Sequence, residues 1–144
     1  MQVVADTHVH LYDGYDMDAA LQQLSQRLAA FANDTGHLAA CLTERKACHA
    51  FETLRDGALS LPAFEISAGD DPSVLRLSGQ HTLNLYSGFQ IVTKERLEVL
   101  ALVCATRIPD GQDLDETIEA VRASGGIPVL PWSPGKWSGS RGEA

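Results

Sequence analysis

The sequence predicts an α/β fold, because strand-like and helix-like segments alternate near both ends of the chain. An apolar run at residues 2–5 precedes a helical stripe and a second apolar run at residues 37–43, which together indicate a β-α-β unit. A helix and a strand follow each other again within residues 113–130. With 144 residues and 44% hydrophobic content, the chain is large enough for one buried core, so we expect a single domain.

The first helix is predicted directly after Asp16, a residue type that caps helix N-termini. Turn-forming residues 33–36 end it, and the second strand at 37–43 runs into polar Glu44. A short helix follows, which Gly57 closes. Apolar residues of the first helix recur at alternating steps of four and three, namely Met17, Leu21, Leu24, Leu28 and Phe31.

The middle of the chain is rich in short β-type segments separated by turn residues, so we expect an antiparallel excursion there. The segment 97–104 is nearly continuous apolar sequence and is expected to be a central strand, buried on both faces. Asp113 and Glu116 have the capping-box spacing, which predicts a helix over about 113–124 and then a strand at 127–130. The β-type segments lie near residues 62–67, 73–78, 81–86, 89–93 and 97–104.

The net charge indicates the kind of partner, and the cysteine content indicates the cellular compartment. The net charge of -8 is unfavourable for binding nucleic-acid phosphates or anionic lipid, so we expect a small-molecule partner. Three cysteines without a Cys-x-x-Cys spacing indicate neither a disulfide framework nor a zinc ribbon, which is typical of a reducing compartment. The amino end has no basic leader, and no apolar run is long enough to cross a membrane. The sequence therefore predicts a cytoplasmic protein.

The motif His8-Val9-His10 at the end of the first strand carries the clearest chemistry. Because side chains alternate across a strand, we expect both imidazoles on the same side, where they reach one ion. Neutral imidazoles bind first-row metals, and such an ion lowers the pKa of a bound water to about 7. Asp6 shares the alternation and is predicted to be a further ligand or an acceptor that orients an imidazole. The prediction is a divalent metal site (zinc, manganese or iron) with a metal-activated water, and the alternative is a chance pair of surface histidines.

The segment after the last predicted strand is expected to bind an anion. Lys136 and Arg141 supply cations among glycine and serine residues close to Trp132 and Trp137, which suits a phosphate or carboxylate group of a small substrate. The spacing differs from Gly-x-x-x-x-Gly-Lys-Ser/Thr, so a nucleotide P-loop is excluded. The alternative is a solvent-exposed turn with one packed tryptophan.

These features together resemble the polymerase and histidinol phosphatase (PHP) family, within the wider class of amidohydrolase-like barrels. The family has an Asp-x-His-x-His strand, which matches residues 6–10. It then has a strand ending in Thr-Asp-His, a Gly-x-Glu strand, and a helix closing in Gly-Gly before a strand that ends in His-Pro. The stretches that resemble these are residues 42–45, 88–91 and 124–132. The resemblance implies a distorted (β/α) barrel and a phosphoesterase-like, metal-dependent hydrolase acting on a small anionic substrate.

The resemblance also implies that residues 1–144 are the N-terminal part of a single barrel domain, since an α/β pattern calls for a further helix and more strands after the last predicted strand. The alternative is a complete small α/β domain with a tail. Other amidohydrolase-like barrels have a similar Asp-Thr-His-Val-His start, so the placement within that class stays open.

Several family ligands are replaced in this chain. Glu44-Arg45 stands where the family has Asp-His, Gln90 where it has a metal-bridging Glu, and residues 131–132 where it has His-Pro. Only the two first-strand histidines carry over directly, with Glu44 as the predicted replacement carboxylate ligand. Arg45 is always charged and repels a cation. Two functions therefore remain: a metal-dependent hydrolase, and a non-catalytic binding or regulatory domain with a degenerate metal site.

Overall fold

The computed structural model of the protein describes residues 2–33 and 36–132. These residues form eight strands and three helices, which confirms the predicted α/β class. In chain order the elements are β1 (Val3–Val9), α1 (Met17–Ala29), β2 (His37–Leu42), α2 (Ala50–Arg55), β3 (Glu65–Ala68), β4 (Val74–Ser78), β5 (Leu83–Tyr86), β6 (Gly88–Val92), β7 (Glu98–Leu102), α3 (Leu114–Ala123) and β8 (Ile127–Val129).

The first sheet has five strands in the order β1-β2-β5-β4-β3. Its first three strands are parallel, with Leu38 of β2 between Val4 of β1 and Leu83 of β5, and α1 connects β1 to β2. β4 pairs antiparallel with β5 and with β3, so the predicted antiparallel excursion is confirmed. Leucines of this sheet and of α1 share one hydrophobic core, in which Leu21 and Leu85 are both 0% exposed.

The second sheet has three antiparallel strands in the order β6-β7-β8. β7 lies in its centre, where Val99 and Ala101 are both 0% exposed, so the prediction of a central strand within residues 97–104 is confirmed. α3 covers this sheet and packs its buried Val121 against it. No helix in the described part of the chain is long and apolar enough to span a membrane.

Both predicted helix caps are confirmed. The Asp16 carboxylate accepts a hydrogen bond from the Ala19 N–H at the start of α1, and the Asp113 carboxylate accepts one from the Glu116 N–H at the start of α3. One detail of the helical pattern is wrong. α1 ends two residues before Phe31, which the periodicity assigns to its apolar stripe, so this ring lies beyond the helix and is 76% exposed.

The two sheets meet where β5 continues into β6 after a single residue. The chain that follows β2 bridges to β6 in parallel, with Glu44 opposite Phe89. Gly88 lies so close to the carbonyl oxygens of Leu42 and Ala101 that any side chain at this position would collide with backbone atoms. The carboxyl end of β2 therefore lies beside β6. Over the described residues, the two sheets do not close into a barrel.

Candidate metal centre

The histidine pair lies at the carboxyl end of β1, beside the end of β2. The ring centroids of His8 and His10 are 5.0 Å apart, and the ring planes are at 63° to each other. The rings thus lie side by side, as expected from their spacing of two residues, although the register of β1 against β2 shifts between Asp6 and Val9 and β1 ends at Val9. His8 is exposed and His10 is partly buried, so the pair is open to an ion from solvent.

His10 is held in place by its neighbours. Its ring stacks on Tyr12 with the centroids 5.6 Å apart, and the Thr43 hydroxyl oxygen lies 3.5 Å from its Nδ1. Burial lowers the pKa of His10 from its usual 6.5, and the positive charges of His8 and Arg45 lower it further. These effects favour the neutral ring, which is the form in which an imidazole nitrogen binds a metal.

Asp6 lies close to the pair but bonds to backbone. Its Oδ1 accepts a hydrogen bond from the His8 N–H over 3.0 Å, and it makes no hydrogen bond to either imidazole among the residues that the structure describes. Burial raises the pKa of the Cys41 thiol on β2, and the negative charge of Asp6 raises it further. Through its hydrogen bond with the His8 N–H, the Asp6 carboxylate holds the backbone at the end of β1. Its role toward a metal stays a prediction.

Glu44, the predicted replacement ligand, lies at the end of β2 and is only 2% exposed. Its Oε1 accepts a hydrogen bond from the Phe51 N–H over 2.9 Å, and its Oε2 is 3.4 Å from the Arg107 guanidinium. Burial raises the pKa of Glu44, although the Phe51 N–H and the charge of Arg107 act in the opposite direction. Both carboxylate oxygens are thus engaged within the protein.

The residue that pairs with Glu44 is Arg107, which no sequence motif indicates. It lies in the loop after β7, and its guanidinium donates to the carbonyl oxygens of Cys48 over 2.8 Å and of Arg45 over 3.3 Å. The same group lies 4.5 Å from the centroid of the Phe89 ring, a cation–π contact. The two carbonyl partners are 59 and 62 positions away along the chain, and contacts at such a separation leave no local pattern.

A carboxylate that sequence reasoning missed acts on the pair. Against the lowering effect of burial, the negative charge of Glu98 at the start of β7 raises the pKa of His10. Within residues 2–33 and 36–132, no three His, Cys, Asp or Glu side chains are placed to hold one ion. A catalytic zinc has three protein ligands and a water. The imidazole pair therefore fits part of a metal site, which needs at least one further donor.

The remaining predicted residues divide into two groups. Lys136 and Arg141, predicted to hold an anionic substrate group, lie outside the described residues. Gln90 is buried on β6, and its backbone N–H donates to the Glu44 carbonyl oxygen over 2.9 Å. The chain that follows β2 and strand β6 are thus brought together.

The chain matches no protein-family model, and a comparison with curated proteins found no match. Among solved structures it is similar to PsfC from Pseudomonas syringae, with a TM-score of 0.54 and 21% sequence identity. The similarity covers 90% of this chain and 55% of PsfC, so the chain spans about half the length of that protein. At this level of identity, the similarity shows a common fold.

Proposed function

We propose that the protein is a metal-dependent hydrolase of the phosphoesterase type, built on a PHP-like distorted (β/α) barrel of which residues 1–144 form the N-terminal part. The observation that carries the proposal is the pair of imidazoles, 5.0 Å apart between ring centroids, at the carboxyl end of a parallel strand. Barrel enzymes gather their reacting groups at these strand ends. The parallel arrangement of β1, β2 and β5 supports the barrel part of the proposal.

In this proposal His8 and His10 bind a divalent ion, and Asp6 holds the end of β1 through its hydrogen bond to the His8 N–H. Such an ion supplies hydroxide at neutral pH, because it lowers the pKa of a bound water to about 7. Burial and nearby positive charges favour neutral His10, the form that binds without first releasing a proton. Tyr12 and Thr43 orient the His10 ring through stacking and through the hydroxyl contact.

The proposal requires a further metal donor and a group that holds the substrate. Glu44 is the third ligand expected from the sequence. Because no three His, Cys, Asp or Glu side chains within residues 2–33 and 36–132 are placed to hold one ion, Glu44 must move toward the histidines to bind it, which would strain its contacts with the Phe51 N–H and the Arg107 guanidinium. Lys136 and Arg141 are proposed to hold the anionic group of the substrate, since both are cationic and follow the last strand in the sequence.

A second candidate function is a non-catalytic binding or regulatory domain with a degenerate metal site. The observation that favours it is the closed ion pair between Glu44 and Arg107, in which Oε2 and the guanidinium are 3.4 Å apart. After burial and His8, the charge of Arg45 also lowers the pKa of His10, and the same charge repels a metal cation. A positive group, Arg45, thus stands where the PHP family has a histidine ligand.

Hydrolysis of p-nitrophenyl phosphate separates the two functions. We expect metal-depleted protein to release p-nitrophenol only after zinc, manganese or iron is added. His8→Ala should lose at least about 100-fold of that activity, because it removes a direct ligand. His37→Ala is the matched control, since it removes an exposed histidine at the start of β2 and should leave the activity unchanged. Activity that needs no metal, or equal activity in His8→Ala, would favour the binding domain.

A further inference from the structure

We propose that a cavity lined by neither histidine of the pair binds a small organic anion through its carboxylate or phosphate group. The cavity has a volume of about 320 Å³ and lies between β6 and the loop after β7. Lys46, Gln90 and Arg107 form its polar wall, and Phe89 with residues 108–109 forms its apolar wall. Neither histidine of the pair lines it, so this site goes beyond the proposed hydrolase and needs no metal.

Gln90 is the residue that points to a ligand. It is 8% exposed, so more than nine-tenths of it is buried, and it lines the cavity. Its backbone N–H is bonded to the Glu44 carbonyl oxygen, but its side-chain amide makes no hydrogen bond to any described residue. The amide atoms of Gln90 are not among the fully buried side-chain atoms without a partner in the described residues, so they keep some accessible surface where the residue lines the cavity. The free amide is therefore a donor and acceptor that is ready for a ligand in the cavity.

Arg107 provides a guanidinium whose position is already fixed and whose charge is paired with Glu44, since Oε2 lies 3.4 Å from its Nη2. The Phe89 ring lies against its guanidinium, and the carbonyl oxygens of Cys48 and Arg45 accept its N–H groups on the side of the α2 loop. A guanidinium has five N–H donors, and a group held in this way loses little conformational entropy when it binds an anion. The contacts that order Arg107 therefore also prepare the cavity.

Lys46 adds a second positive charge, and its exposed side chain makes no ion pair within the described part of the chain. Two carboxylates lie nearby. Glu44 is 2% exposed with both oxygens engaged, and Asp110, which lines the cavity, accepts a hydrogen bond from the Val92 N–H through Oδ1. These two carboxylates balance the charges of Lys46 and Arg107, so the cavity would hold an anion through its N–H donors and not through a net positive charge.

The two walls together define the class of ligand. A carboxylate or phosphate accepts several hydrogen bonds at once, which matches the donors from the ammonium, guanidinium and amide groups. The Phe89 ring and residues 108–109 favour an apolar or aromatic body on the other side. The volume of about 320 Å³ is at the small end of the range for ligand pockets, so the ligand is small.

Benzoate and phenyl phosphate test the site, because they share a phenyl ring and differ only in the anionic group. Each is titrated into ¹⁵N-labelled, metal-free protein, and the side-chain amide signal of Gln90 is followed by NMR. We expect a saturable shift with at least one probe, and the probe that binds more tightly identifies the preferred anionic group. Absence of a saturable shift with both probes would overturn the proposal.

Two variants locate the binding. Lys46→Ala and Gln90→Leu should each weaken binding by about tenfold, since each removes a donor to a charged group. Lys94→Ala is the matched control, because its ammonium already pairs with Asp113 at 3.5 Å, and it should bind as tightly as the unchanged protein. His8→Ala should also bind normally. Equal affinity in Lys46→Ala, Gln90→Leu and the unchanged protein would overturn the proposal.

Discussion

The ends of β1 and β2 lie side by side and use their titratable residues in opposite ways. At the end of β1, the rings of His8 and His10 contact each other, and His8 is exposed. At the end of β2, Glu44 is 2% exposed, and both of its oxygens are engaged. A side chain whose hydrogen-bonding capacity is fully used holds the fold, whereas a free one is available to a ligand. Location at a strand end therefore does not by itself indicate a binding role.

The largest effect is expected from removing Glu44, whose buried carboxylate makes the end of β2 the closed side of the pair of strand ends. Glu44→Ala leaves the Arg107 guanidinium and the Phe51 N–H without this partner, and removal of one member of a buried pair costs about 3 kcal/mol. We expect the free energy of unfolding, measured by urea denaturation, to fall by that amount. Glu52→Ala is the control, because its pair with His49 is exposed and should contribute less than about 1 kcal/mol. Equal losses in the two variants would contradict the comparison.

The closed side should also have a distinct pH dependence. Burial raises the pKa of Glu44 above 4.5, so the folded protein keeps this proton to a higher pH than the unfolded chain does. The stability that comes from this difference is fully present below 4.5 and is lost as pH rises through the raised pKa. Glu44→Gln removes the titration. Urea denaturation should therefore show the unchanged protein losing stability relative to Glu44→Gln as pH rises above 4.5. If the unchanged protein instead gained stability relative to Glu44→Gln as pH rises, the ion pair with Arg107 would control the pKa of Glu44.

At the end of β1, the open side with the exposed His8, the stability should depend on pH in the opposite sense. Burial lowers the pKa of His10 below 6.5, and the charges of His8 and Arg45 lower it further, so the stability linked to neutral His10 is present above 6.5 and is lost as pH falls through the lowered pKa. NMR titration of the ring should give a midpoint below 6.5, and Arg45→Ala should raise that midpoint. An unchanged midpoint in Arg45→Ala would show that this charge does not act on the ring.

The smallest effect on stability is expected at His8. The side chain is exposed, and its ring makes no hydrogen bond to a described residue. His8→Ala should therefore change the free energy of unfolding by no more than about 0.5 kcal/mol in metal-free protein. If the loss in urea denaturation instead approached that of Glu44→Ala, the histidine pair would be part of the packing and not an open site.

Features that depend on neighbours in the sequence could be predicted. The caps at Asp16 and Asp113 were predictable because a carboxylate in these positions reaches an N–H only three residues away. The shared face of His8 and His10 follows from strand alternation, and the central position of the strand in residues 97–104 follows from its continuous apolar character.

Contacts between distant parts of the chain could not be predicted in this way. Position at the end of β2 made Glu44 a candidate ligand, but the group that engages its charge is Arg107, 63 positions later. Glu98 begins an apolar strand, and no pattern relates it to the histidines. The metal roles of Asp6 and Glu44 stay predictions for this reason. Lys136 and Arg141 stay predictions because they lie outside the described residues.

Calorimetric titration of zinc into metal-depleted protein tests the role of the histidine pair most directly. The account predicts that the unchanged protein and His37→Ala bind zinc with the same affinity, because His37 lies at the opposite end of β2 from the site. His8→Ala and His10→Ala should each bind at least about tenfold more weakly, since each loses a direct donor. Equal zinc affinity in all four proteins would contradict the account.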